Sequence, residues 1–260
     1  MKTFIVSGSS SGIGAATAAA LRGQGHRVIG LDLHDADVNA DLSNAAGRSR
    51  AVEAVRGLVD RVDGIVPCAG VAGLTGVDPT LVVSLNFFGA VALVDGLRDR
   101  MADSAAVVMI SSNSVTCQPG WPAESFAPML AGDEPTARAA VADVEAVQIY
   151  PVTKAAIAAW VRREAIARAA EGVRINAVAP GLIATAMTEA LREDPVLGVF
   201  ADAYPSALNR PGNAEEVAAL ITFLLSDEAS LIVGATVVID GGTDAIMNPL
   251  PAVAAGIALS

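Results

Sequence analysis

Along this chain short apolar runs alternate with longer alanine-rich stretches, and that alternation predicts strands and helices in turn. Thr3–Ser7, Arg27–Asp32, Gly64–Ala69, Ala105–Ser111, Val173–Ala179 and Thr236–Asp240 read as strands, with a short extra strand at Asp37–Ala40. Ile13–Arg22, Asn44–Asp60 (capped by Ser43), Leu81–Met101, Tyr150–Glu171 and Ala214–Leu225 read as helices. Strands that are apolar almost throughout, separated by helices, indicate a parallel sheet covered on both faces and joined by right-handed crossovers. The expected fold class is α/β, a single doubly wound parallel sheet flanked by helices. No repeat or linker divides it, so residues 1–260 are expected to form one domain. One stretch breaks the rhythm. Cys117–Ala146 holds Pro119, Pro122, Pro128, Pro135, Gly120 and Gly132 before an acidic, alanine-rich segment. It reads as an inserted loop followed by a short helix, and loops of that length are usually functional. The tail Asn248–Ser260, with Pro249 and Pro251, shows no clear element.

The first strand runs directly into Gly8-Ser9-Ser10-Ser11-Gly12-Ile13-Gly14. Glycines let the backbone turn tightly and approach a pyrophosphate. The helix that starts here offers unbonded N–H groups and its positive dipole end to the anion. A glycine triplet alone is weak, since a tight turn without a ligand looks the same. A strand before it, a helix after it and an acid at the end of the next strand, Asp32, make a Rossmann-type dinucleotide site the better reading. Gly8, Ser10, Ser11, Gly12, Ile13 and Gly14 are the candidate phosphate-binding residues, with Asp32 and Leu33 at the adenosine ribose. A carboxylate there accepts both ribose hydroxyls and repels a 2′-phosphate by roughly 3 kcal/mol per unit charge at about 5 Å and an effective dielectric near 20. No arginine sits beside it, so NAD is expected over NADP. Asp41 and Leu42 either reach the adenine or only form the turn before a helix. The same glycine run fits a G-x-S-x-G nucleophile elbow with Ser10 as nucleophile. That hydrolase reading fails on chain order, because it needs a late histidine and the last one here is His34.

Composition narrows the partners. Seventeen Lys and Arg against 28 Asp and Glu give a net charge of −11, which argues against a nucleic-acid binder and against an anionic membrane surface. With 53% hydrophobic residues the chain can build a large core. No run of about 18 apolar residues suggests a membrane span, and Met1–Val6 is too short for a signal peptide. Cys68 and Cys117 are far apart and read as reduced thiols. A cytoplasmic protein is expected. Two histidines and two lone cysteines make no recognisable metal set.

Taken together, these motifs resemble a short-chain dehydrogenase/reductase over nearly the whole chain. Gly8, Gly12 and Gly14 match that family's cofactor turn, and Cys68-Ala69-Gly70 stands where the family usually has Asn-Asn-Ala-Gly. Asn86, Ser112, Tyr150 and Lys154 match its catalytic tetrad. Pro180-Gly181 with Ile183 and Thr185 match its nicotinamide segment, and Val238–Gly242 its last strand. Three departures stand out: the stretch from Asp32 to Asp41 has no room for a helix, Pro67-Cys68 replaces the two asparagines, and the gap from Ser112 to Tyr150 is much longer than usual. These resemble the 3α-hydroxysteroid dehydrogenase/carbonyl reductase branch and its coniferyl-alcohol-dehydrogenase-like relatives.

The resemblance implies an oxidoreductase moving hydride between NAD and an alcohol or ketone. Tyr150 would be the proton donor and acceptor, and Ser112 would hold the substrate oxygen. Asn86 would distort its helix and hold a water linking Lys154 to solvent. Lys154 would also bond the nicotinamide ribose. A tyrosine titrates near 10, too high for base work at pH 7. A lysine one turn along the same helix, about 4–5 Å away, would stabilise the phenolate by roughly 3–4 kcal/mol. Ala186–Arg210 is expected to be a mobile substrate lid. Its Met187, Leu191, Val196, Leu197, Val199, Phe200, Tyr204 and Leu208, with Val115, Trp121 and Met247, suit a small apolar cyclic or aromatic alcohol or ketone such as a 3α-hydroxysteroid. An aryl or terpenoid alcohol dehydrogenase is the near alternative. A non-catalytic NAD sensor is the distant one, and it predicts loss of Tyr150 or Lys154, both of which are present. An epimerase or dehydratase would need a longer C-terminal domain. By the same resemblance Tyr150–Glu171 and Leu81–Met101 build subunit contacts, so a homodimer or other homo-oligomer is expected, with packing altered by the 117–146 insertion.

Overall fold

The computed structural model describes residues 1–118 and 120–249. Its strands are β1 (Thr3–Ser7), β2 (Arg27–Asp32), β3 (Val38–Asn39), β4 (Val62–Pro67), β5 (Met101–Ile110), β6 (Arg174–Pro180), β7 (Ile183–Ala184), β8 (Gly212–Asn213) and β9 (Thr236–Ile239). Seven form one parallel sheet in the order β3-β2-β1-β4-β5-β6-β9, while β7 and β8 pair separately. The expected α/β parallel sheet is what the chain builds.

The sheet is buried on both faces because alternate residues of its strands feed two cores. On β1, Ile5 packs with Ala51, Val55, Phe87, Val152 and Trp160 on one face. Its neighbours Phe4 and Val6 pack with Leu21, Val217, Ile221 and Leu224 on the other. This is the two-residue period of a strand. Helices Ala45–Leu58, Pro79–Gly96 and Ala146–Ala169 cover the first face, and Gly12–Gly23 and Ala214–Leu225 the second.

Several elements differ from the sequence reading, each for a local reason. Asn44, not Ser43, caps the second helix, its side chain accepting the Gly47 N–H at 2.8 Å. The helix expected over Leu81–Met101 starts at Pro79, where a proline at the first position suits a helix start. It then widens into π turns over Ser84–Gly89 and ends at Gly96, before a short 3-10 turn. The run Pro79–Gly96 is, by mean hydropathy (1.5), apolar enough to cross a membrane, contrary to the expectation that no such run exists; 56% of it is buried in this fold, so its apolarity serves the core.

The 117–146 insertion is not a loop with one helix. Short helices cover Ser114–Cys117, Phe126–Ala131 and Glu134–Ala139, and Met129, Ala137 and Val141 join the core. Pro128 and Pro135 fall in first turns, where the missing N–H would have had no partner anyway. The following helix starts at Ala146, ahead of Tyr150, and carries Pro151 inside it. That proline has no N–H to give the Val147 carbonyl; the Gln118 amide supplies one at 2.9 Å. The tail is described only as far as Pro249, so the expectation for 250–260 lies outside the described residues.

Candidate active site

The sheet order reverses between β1 and β4, the place where open α/β sheets leave a crevice beyond their carboxyl ends. A cleft of about 490 Å³ lies there. It is lined by Gly8, Ser11, Gly12, Ile13, Gly14, Asp32, Leu33, Asp41, Leu42, Cys68, Ala69, Gly70, Ser112, Tyr150, Lys154, Pro180, Gly181, Ile183 and Thr185. The predicted site residues thus converge, except Ser10 and Asn86.

The glycine turn is tight for a steric reason. Gly8 has φ +66°, and a Cβ on Gly14 would stand 2.1 Å from the Gly8 carbonyl oxygen. The helix that follows has Ser11 at its N-cap, whose side chain makes no capping bond, so its first N–H groups are left for an anion. Asp32 is fixed in the cleft wall by the N–H groups of Ser10 (2.9 Å) and Leu33 (2.7 Å). Ser10 itself is exposed and donates its hydroxyl to the His34 carbonyl at 2.8 Å. Its part is to hold the loop after β2. Asp41 serves the turn: it accepts from the Ser43 N–H (2.9 Å) and the Asn44 amide (2.7 Å), and the Ser43 hydroxyl first, then the Ser43 N–H, hold its carboxyl below the usual range. These residues fit a dinucleotide.

At the other end of the cleft Ser112, Tyr150 and Lys154 meet. Ser111 is buried and donates to the Lys154 carbonyl at 2.9 Å, which leaves Ser112 facing the phenol. Lys154 is buried, its Nζ 5.4 Å from the Tyr150 ring centre and donating to the Ile110 carbonyl at 3.1 Å. In the protein alone, burial is the largest influence on the Tyr150 phenol. Burial pushes its phenol above 10.0 and the Ser112 hydroxyl only partly offsets this. The same burial pulls Lys154 from 10.5 down to about 8, against the opposing pull of Cys68. For both groups burial outweighs the opposing contact. Cys68 is likewise pushed up to about 12 by burial, which marks it as a packing thiol.

Asn86 sits in the π turns, and its amide exchanges two 2.9 Å hydrogen bonds with the backbone of Val71. Those bonds pin the loop after β4 to this helix. Val71, Leu81 and Leu85 also line the cleft and were missed, although the four-residue spacing of Leu81 and Leu85 puts both on one helix face. Among the described residues, Met187 is the one of the apolar residues expected to line a substrate pocket that borders this cleft. Trp121 packs on the core and donates to the Val115 carbonyl at 3.4 Å, while Val196, Val199 and Leu208 are exposed. The segment Ala186–Glu193 instead leads to Asp194, which accepts the N–H (2.7 Å) and hydroxyl (2.8 Å) of Thr75.

Comparison with known proteins adds three findings. Residues 4–181 match the NAD dependent epimerase/dehydratase family, and residues 136–244 a family described as enoyl-(acyl carrier protein) reductase. The chain is 38% identical over 256 residues to a 3-alpha-hydroxysteroid dehydrogenase/carbonyl reductase of Comamonas testosteroni, covering 96% of this chain and 99% of that protein. It is 32% identical over 265 residues to a coniferyl-alcohol dehydrogenase of a Pseudomonas species, covering 93% and 96%. Among solved structures, the 3-alpha-hydroxysteroid dehydrogenase of Pseudomonas sp. B-0831, complexed with NADH, superposes with a TM-score of 0.91 at 39% identity, covering 96% of this chain and 100% of that one.

Proposed function

The chain belongs to the short-chain dehydrogenase/reductase family, and from that premise we infer that it is an NAD-dependent oxidoreductase interconverting a secondary or allylic alcohol and its carbonyl. When bound, NAD supplies the hydride acceptor or donor. The observation that carries the reading is the meeting of Tyr150, Ser112 and Lys154 at the far end of the cleft that starts at the glycine turn.

The residues divide the work. The N–H groups opening the first helix hold the pyrophosphate and Asp32 accepts the ribose hydroxyls. Cys68, Ala69, Gly70, Leu33, Asp41 and Leu42 wall the adenosine half. Pro180, Gly181, Ile183 and Thr185 hold the nicotinamide. Ser112 donates a hydrogen bond to the substrate oxygen, where charge builds during reaction. Tyr150 gives that oxygen its proton in reduction and takes it in oxidation. Lys154 orients the phenol from one turn along the helix, and Asn86 keeps that wall in shape. Because burial favours the neutral phenol, Tyr150 is poised as an acid at neutral pH, and oxidation gains from alkaline pH.

The apolar walls Val71, Leu81, Leu85 and Met187 support an apolar cyclic or aromatic substrate, a 3α-hydroxysteroid or an aryl alcohol. Residues 186–210 act as its lid, within a single catalytic domain. Exposed Leu231, Val233 and Val238, on β9 and the loop before it, support a homo-oligomer. Free thiols at Cys68 and Cys117 suit the cytoplasm. The test is the NADH absorbance change with a panel of hydroxysteroids and aryl alcohols. We expect turnover with at least one apolar secondary alcohol, and activity confined to sugars or charged acids would contradict the substrate reading.

A further inference from the structure

Beside Ser112 lies an amide that none of the assigned roles uses. Asn113 is 3% exposed and every polar group it carries has a partner. Its N–H donates to the Pro180 carbonyl at 3.0 Å, and its own carbonyl accepts from Cys117 at 2.9 Å. Across its side chain, Oδ1 accepts the Tyr204 hydroxyl at 2.9 Å and Nδ2 donates to Asp240 Oδ2 at 3.1 Å. Asp240 is held in turn by the N–H groups of Gly242 (2.9 Å) and Asp244 (2.7 Å). Gly181 packs directly on this chain, since a Cβ there would stand 2.6 Å from the Asp240 Cβ and 3.2 Å from Asn113 Nδ2. One buried amide therefore ties together the strand end carrying Ser112, the Pro180-Gly181 segment, the loop after β9 and, through Tyr204, the far end of the segment 186–210.

We propose that Asn113, clamped between Tyr204 and Asp240, is a positioning residue that sets Ser112 against the Pro180-Gly181 segment, and that the Tyr204 hydroxyl couples this setting to the lid. The proposal rests on the dehydrogenase reading above. Its logic is that of a fully satisfied buried polar cluster, which admits one arrangement and resists others. Removing the Tyr204 hydroxyl leaves Asn113 Oδ1 buried without a donor, so the amide and the backbone that carries Ser112 must shift to find one. A shift of that kind harms the reacting geometry more than cofactor binding, because the glycine turn and Asp32 lie at the other end of the cleft.

The experiment compares Tyr204→Phe, Asn113→Ala and the double variant with the parent chain, reading kcat, NADH affinity by fluorescence, melting temperature and amide hydrogen exchange over Ser112–Cys117. For Tyr204→Phe the expected result is a fall in kcat of about tenfold, with NADH affinity within about twofold of the parent and faster exchange confined to that segment. In the Asn113→Ala background the Tyr204→Phe effect on kcat disappears, because the two act through one link. Unchanged kcat, an effect of equal size in the Asn113→Ala background, or a loss that only tracks the melting temperature would each overturn the proposal. If Asn113→Ala does not fold, Tyr204→Phe decides alone. Should the parent turn over none of the alcohols tested, the dehydrogenase reading fails, and unchanged exchange over Ser112–Cys117 in Tyr204→Phe then overturns this inference separately.

Discussion

On the proposed reading, cofactor choice turns on Asp32. Two backbone N–H groups aim its carboxylate into the cleft, and a 2′-phosphate beside it would meet a repulsion of about 3 kcal/mol. Asp32→Ala should therefore narrow the preference for NAD over NADP, measured as the ratio of kcat/KM values, by about a hundredfold. A ratio left unchanged would place discrimination elsewhere. Much at this scale was legible beforehand. The glycines and Asp32 could be named because backbone approach and charge restrict the residue type there, whereas Ser112, Tyr150 and Lys154 were named through the resemblance to the family. The balance of forces on Tyr150 was not legible. Its sign depends on how dry the pocket is, and burial is a property of the folded whole. The capping role of Asn44 was hidden for another reason, since Ser43 beside it is an equally good cap by type.

At the scale of elements, the sheet strands could be read because a strand buried on both faces must be apolar along its length. The inserted helices could not, because they are short and their prolines look like breakers until the first turns are placed. The start of the long helix was hidden by Pro151, whose orphaned Val147 carbonyl is satisfied by Gln118 from a distant part of the sequence. The segment 186–210 is held by a comparable distant link. Asp194 accepts from Thr75, Val196 and Leu197; burial works against its charge, but these donors outweigh it and bring its carboxyl from 3.8 to about 2. A folded-state value below the unfolded one means stabilisation that is complete above about pH 4 and is lost as pH falls towards 2. Asp194→Ala should accelerate proteolytic cleavage within residues 186–210 at neutral pH, leaving the sheet resistant. Cleavage at the parental rate would show that Asp194 does not hold this segment.

For the whole molecule the insertion is structural as well as peripheral. Glu134 pairs closely with Arg48, which is buried and also donates to the carbonyls of Leu42 (3.4 Å) and Ser84 (3.3 Å), and Arg138 donates to the Ser84 hydroxyl at 2.6 Å. Cutting the insertion away would leave Arg48 buried without its carboxylate, at a cost of about 3–5 kcal/mol. Assembly is therefore best measured on the intact chain. Light scattering should return at least twice the 26.2 kDa chain mass, and a monomer at working concentration would contradict the oligomer. The central claim is that one phenol moves the proton while the rest of the cleft binds the dinucleotide, and replacing that phenol separates the two. In Tyr150→Phe, turnover of the best alcohol should fall by about 10²–10⁴-fold, while NADH binding, read by fluorescence, stays near the parental affinity. Turnover that survives the substitution, with NADH still bound, would contradict the account.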